Sequence, residues 1–451
     1  MSAAELRSRI AGLMGTAHAE LAELVAIRSV ADPRQFPPEE CQRAATWVRD
    51  RFAGVGFIDL ELAETADGSQ AVVGTRPGTD PDAPTVLLYA HYDVQPPLDD
   101  QAWRTPPFAL TERNGRWYGR GAADCKGNIV MHLAALRALD ALPVTLKLVV
   151  EGSEEQGTGG LEAYVPEHAD RLRADAILVC DTGNAAVGVP ALTVSLRGLA
   201  NVVVTVEALE SEVHSGMYGG PAPDALAALV RMLATLRDGA GNTTVAGLDA
   251  AQTWTGVDYP EAAFRADATV LDGVHLLGSG SVADLLWARP ALTVLGIDCP
   301  PVVGSVAAIQ PRAAARLNLR IPPGMDPVAA QDALAAQLRD SAPWGVRVDV
   351  QREAVGAPFS AEQDGPAYAA MSAALEEAYG RPPTRLGQGG SIPLCNVFAD
   401  TYPDAEIILM GVEEPRALIH APNESVDPSE IAAMALAEAL FLQQYAKAGQ
   451  G

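Results

Sequence analysis

The stretch TVLLYAHYD, residues 85–93, decides how the fold is read. Thr85 to Ala90 is a short, continuous, mostly apolar run, the kind that fills a strand buried on both faces. It ends abruptly in His91, Tyr92 and Asp93. Three other stretches share this grammar. VTLKLVV (144–150) runs into Glu151, Glu154 and Glu155 within the Gly-rich turn EGSEEQGTGG. DAILV (175–179) runs into Cys180 and Asp181, and EIILM (406–410) is followed within ten residues by His420. In open α/β sheets, ligands bind beyond the carboxyl ends of the strands. Four strands that each deliver His, Asp or Glu at that end predict one converging site.

Between these strands the spacing is helical at 6–25, 39–52 and 128–139. Alternating strands and helices predict an α/β domain with helices covering a sheet. The middle of the chain reads differently. ANVVVTVE (200–207) alternates like an antiparallel strand, 223–236 is helical, 314–321 and 346–350 are strands, and 328–338 is a helix. That set predicts a separate α+β domain inserted into the first. The expected boundaries are 1–196 plus 357–451 for the main domain and 197–356 for the insert.

The chain has 451 residues, 48% hydrophobic and 20% charged, enough to build packed cores and too apolar for wholesale disorder. Its net charge of −25 repels phosphate backbones and anionic lipid, so neither nucleic acid nor a membrane is expected as a partner. Five scattered cysteines with no CxxC fit a reducing compartment. The first 24 residues mix charges with apolar positions, as an amphipathic helix does and a signal peptide does not. No run of 18 apolar residues occurs, and the expected location is the cytoplasm.

Each metal-capable residue is weak evidence by itself. A histidine two residues from an aspartate is commonplace, and a Glu–Glu pair normally sits on a solvated face. Here His91 and Asp93 share one side of an extended segment, so the carboxylate can hold the imidazole. Asp124, in GRGAADCKG (119–127), also reads as the N-cap of the following helix. Together the stretches offer His, Asp, Glu, Asp and His. Carboxylates with two imidazoles suit zinc, manganese or cobalt. Five ligands exceed one tetrahedral zinc with an open position. They fit two ions about 3.5–4 Å apart that share a carboxylate. A serine hydrolase would need G-x-S-x-G after a strand, and neither Ser215 nor Ser391 has that setting.

The motifs HYDVQP, WYGRGAADCKG, EGSEEQGTGG, LVCDTG, EVHSGMYGG, RIPP, GQGGSIP and IHAPNE, in this order, resemble the M20 metallopeptidase family and, within it, the dipeptidase branch that includes carnosine dipeptidases. The resemblance covers nearly the whole chain. It implies that His91 and Asp181 bind one divalent ion, that Glu155 and His420 bind the other, and that Asp124 bridges them. It implies that Asp93 orients His91, that Glu154 is the general base, and that His214 stabilises the oxyanion from a partner subunit. Arg320 and Ser391 would hold the substrate carboxylate, and the inserted domain would be a lid and dimerisation domain. An aspartate at 181 favours dipeptidases and aminopeptidases over carboxypeptidases. Cys125 stands where the family often has a second aspartate and is read as lying behind the ligands. Hydrolysis of N-acyl amino acids or another non-peptide amide on the same machinery is the alternative, since fold and metals do not separate the two.

Overall fold

The computed structural model describes residues 1–80 and 82–448. In it Val86 to His91 are wholly buried within a strand. A strand flanked on both sides and covered on both faces has no solvent side, which is why its sequence does not alternate. Along the chain lie β1 (Ile58–Glu64), β2 (Gln70–Arg76), β3 (Thr85–His91), β4 (Thr145–Glu151), β5 (Ala176–Cys180) and β6 (Ala191–Leu196). They are followed by β7 (Gly198–Glu207), β8 (Ala291–Asp298), β9 (Arg312–Ile321), β10 (Arg347–Gly356) and β11 (Glu406–Met410).

The chain divides into two units, 1–194 with 361–386 and 394–451, and 195–360 with 387–393. The first is built on a mixed sheet in the order β1-β2-β4-β3-β5-β11-β6. Its centre, β4-β3-β5-β11, is parallel, so the carboxyl ends of these four strands lie along one edge. The helices are α1 (Ala3–Val25), α2 (Glu39–Ala53), α3 (Lys126–Ala138), α4 (Ala225–Ala234), α5 (Pro327–Asp340), α6 (Pro366–Tyr379) and α7 (Pro428–Ala448). In the first unit α3 packs on α1 and α7, and α6 packs on α7. A reciprocal Ser2–Glu5 capping box starts α1. At its other end Lys126 Nζ donates to the carbonyls of Leu24 and Ile27 at 3.0 and 2.8 Å. These carbonyls lie at and just beyond the helix C-terminus, where its dipole favours a cation.

The second unit has its own core. Its antiparallel sheet runs β8-β9-β7-β10, and α4 and α5 pack on it. Burial alternates along β7, the mark of a sheet with one covered face. β8 is an edge strand whose Val294, Leu295 and Ile297 are all exposed. The sequence reading passed over β1, β2, β6 and β8. It also left 387–393, which returns to the second unit, in the first. Among the described residues no helix is long and apolar enough to cross a membrane.

Candidate metal centre

His91 closes β3, and its Nε2 lies 3.0 Å from Asp124 Oδ1 and 3.1 Å from Asp181 Oδ1, the latter just beyond β5. The other ring nitrogen, Nδ1, faces Asp93, 3.1 Å from its carbonyl oxygen and 3.4 Å from its carboxylate. That carboxylate also accepts the backbone N–H groups of Glu154 and Glu155, at 3.2 and 3.0 Å. One buried side chain thus ties the end of β3 to the turn after β4. Gln95 Nε2 steadies the same turn, donating to Glu155 Oε2 at 2.8 Å. Glycine is required at 152, where a Cβ would come within 2.1 Å of the Tyr92 hydroxyl.

His420 follows β11 and adopts φ +60°, the left-handed region that few side-chain-bearing residues enter. Its Nε2 lies 3.0 Å from Asp124 Oδ2 and 3.2 Å from Glu155 Oε2. The two oxygens of Asp124 therefore face two separate imidazoles. The helix-cap role expected for Asp124 is not what the structure shows. Cys125 occupies the N-cap of α3 without a side-chain cap bond, and the Asp124 carboxylate is committed to the histidines. The loop carrying Asp124 hangs from Glu424, a wholly buried residue that accepts N–H groups from Gly121, Ala123 and Asp124 at 3.0–3.1 Å. Glu424 is paired in turn with Arg120 at 2.8 Å.

Negative charge dominates this cluster. Burial, then Asp181, push the Glu154 carboxyl well above the usual range. Burial raises Asp181 to about 6. Hydrogen bonds to Asp124 and Glu155 raise His420 to about 11. His91 is also raised, its burial opposing this and the Asp181 and Asp124 carboxylates outweighing it. The two histidines thus hold protons where the carboxylates demand positive charge, and divalent ions supply that charge better when they displace those protons. Ligand atoms of His91, Cys125 and Asp181 lie within 4.8 Å of one another, as do those of Asp124, Glu155 and His420. With the Cys125 thiol set aside, His91 and Asp181 on one side and Glu155 and His420 on the other, joined by Asp124, fit a pair of ions. Cys125 Sγ donates to the Cys180 carbonyl at 2.9 Å, and burial holds its thiol up at about 12.

The sequence-predicted residues fall in both units. His91, Asp93, Asp124, Glu154, Glu155, Asp181 and His420 belong to the first; His214, Arg320 and Ser391 belong to the second. His214 is exposed, and its Nδ1 accepts the Gly216 N–H at 3.1 Å, which leaves the ring proton on Nε2 as a donor. Sequence reasoning missed Glu424 and Gln95, although both lie inside motifs it singled out. It also missed Glu413, whose carboxylate groups with Asp124 and Asp181. The Glu413–Glu414 pair beyond β11 repeats the Glu154–Glu155 pair beyond β4 and was the available signal.

The model of peptidase family M20/M25/M40 matches residues 87–444. A cysteinylglycine-S-conjugate dipeptidase of Corynebacterium striatum is 43% identical over 437 residues, 95% of each chain. The β-Ala-His dipeptidase of Homo sapiens is 28% identical, over 85% of this chain and 80% of that one. The crystal structure of human carnosine dipeptidase 1 superposes with a TM-score of 0.83 over 99% of both chains at 26% identity.

Proposed function

The chain belongs to peptidase family M20/M25/M40, and from that premise we propose how its residues hydrolyse the peptide bond of a dipeptide. The activity itself, metal-dependent hydrolysis of short peptides, follows from the family and from the 43% identical dipeptidase. The proposal concerns the ions, the residues and the assembly. The observation that carries it is Asp124, with one oxygen 3.0 Å from His91 and the other 3.0 Å from His420.

His91 and Asp181 hold one divalent ion, Glu155 and His420 hold a second, and Asp124 is shared. Zinc is favoured, with manganese or cobalt compatible with the same donors. When bound, the ions acidify water and polarise the scissile carbonyl. Asp93 fixes the tautomer and orientation of His91 and holds the Glu154–Glu155 turn. Glu154 is free of that turn's ligand duty. It takes the proton of the attacking water and delivers it to the leaving amine. His214 offers its Nε2–H to the developing oxyanion. Arg320 and Ser391 hold the substrate carboxylate. The relatives' names make S-substituted cysteinylglycine and β-alanyl dipeptides the first substrates to try.

We further read the enzyme as a homodimer formed through the second unit, where β8 offers an unpaired apolar edge. The five cysteines are all free, which supports a reducing compartment such as the cytoplasm.

Dialysis against a chelator should abolish dipeptide hydrolysis, and zinc, manganese or cobalt should restore it. Elemental analysis of active protein should give two ions per chain. Full activity without metal, or rapid cleavage of N-acyl amino acids with free dipeptides untouched, would overturn the reading.

A further inference from the structure

Arg197 joins β6 to β7, and only 7% of it is exposed. Its Nε and Nη1 are buried without a hydrogen-bond partner. The charged group that acts on it is another cation, Arg320, so burial and Arg320 together lower the guanidinium to about 10. Arg320, itself half-buried, sits one strand over, its backbone in register with Leu199. Ion-pair partners for either arginine are absent among the described residues. Arginine is seldom buried unless paired, because removing the charge from water costs several kcal/mol.

Two further features gather at the same place. The Arg197 N–H donates to the Gln388 carbonyl at 3.1 Å, which draws in the segment 387–393. Gly389 lies directly against the guanidinium, since a Cβ there would come within 2.8 Å of Nη2. Ser391, in the same loop, has its hydroxyl beside Gly356, at 3.5 Å from where a Cβ would stand. Two guanidiniums, a glycine loop and a serine hydroxyl are thus collected within the second unit without one balancing carboxylate.

We propose that Arg197 is a specificity-determining residue: with Arg320 it forms a two-arginine receptor that demands a carboxylate at the substrate's C-terminus. The arrangement lacks only the anion. A carboxylate supplies the missing counter-charge, relieves the repulsion between the two guanidiniums and accepts their planar N–H groups. The inference rests on the dipeptidase reading and deepens it, since Arg320 alone was expected to bind this group. It also makes the free enzyme carry an uncompensated buried charge, the kind of local instability that functional sites retain.

The test compares a dipeptide with its C-terminal amide, using wild type, Arg197→Met, Arg197→Lys and Arg320→Met, each loaded with metal. Wild type should favour the acid over the amide by about 10–100-fold in kcat/KM, the range of hydrogen bonds to a charged group. Arg197→Met should lose most of that preference, mainly through KM for the acid, with the amide little changed. Arg197→Lys, which keeps the charge without the fork, should retain an intermediate preference. Without substrate, Arg197→Met should melt no lower than wild type. A structural arginine would instead lower Tm and weaken acid and amide alike, and that result overturns the proposal. So does an acid preference that survives in both Arg197 variants. Failure of the underlying reading looks different: wild type itself would cleave neither substrate. If only the Arg320 assignment is wrong, Arg320→Met alone keeps the wild-type ratio.

Discussion

Glu154 and Glu155 are neighbours with the same side chain, and only their surroundings divide the work. The Glu155 carboxylate is met by Gln95 on one side and His420 on the other. No hydrogen bond to the Glu154 carboxylate is found among the described residues, and burial pushes it well above the usual carboxyl range. A carboxylate with no hydrogen-bond partner is free to accept a proton from water and pass it on. Glu154→Gln removes the base and keeps the shape. It should lower kcat by about 10²–10⁴ while both ions stay bound. Loss of metal from this variant, read by elemental analysis, would mean that the two glutamates have exchanged roles. At this scale the sequence was informative wherever a residue type is chemically unusual at the end of an apolar run, as at His91 and Asp181. It was silent on Glu424, because a glutamate that anchors a loop by accepting three backbone N–H groups carries the same letter as one in solvent. It was silent on Arg197 for the same reason. Only burial distinguishes it from the many surface arginines.

The elements divide in the same way. Strands β3, β4, β5 and β11 were legible because each is largely buried and reads as a short, mostly apolar run. β1, IDLELAE, is mostly exposed at the rim of its sheet and carries three charges among its seven residues, so its hydrophobic signal is weak. β8, ALTVLGID, is the more informative omission. From Val294 to Asp298 every residue is exposed, although the stretch is largely apolar. Exposed apolar edge strands invite pairing with another chain unless they are blocked by charge or covered. β8 is therefore the element expected to carry the dimer contact. The double substitution Leu295→Lys with Ile297→Lys places charges along that edge without touching the core. It should convert a dimer into monomer in sedimentation or light scattering, with Tm changed by only a few degrees. A dimer that persists would move the interface elsewhere.

For the whole molecule, the question is whether one chain suffices for catalysis. The candidate metal ligands all belong to the first unit, while His214, Arg320 and Ser391 belong to the second. His214 is exposed and makes only a local bond, so nothing in its own surroundings spends its Nε2–H. If His214 serves the ions of a partner subunit, each working site needs two chains, and damage to different parts can be shared out between them. His214→Ala and Glu154→Gln proteins should each be nearly inactive alone. Once their subunits exchange, half of the dimers pair one chain of each kind. Every such mixed dimer holds one site with both residues intact and one with neither. Random exchange at equal concentration should therefore restore about a quarter of the wild-type sites, on the assumption that paired and unpaired chains associate equally. The Leu295→Lys/Ile297→Lys change, introduced into both proteins, should abolish that recovery. If His214 acted within its own chain, every chain in the mixture would still carry one defect. Mixing would then restore nothing, and a dimer would have no part in catalysis.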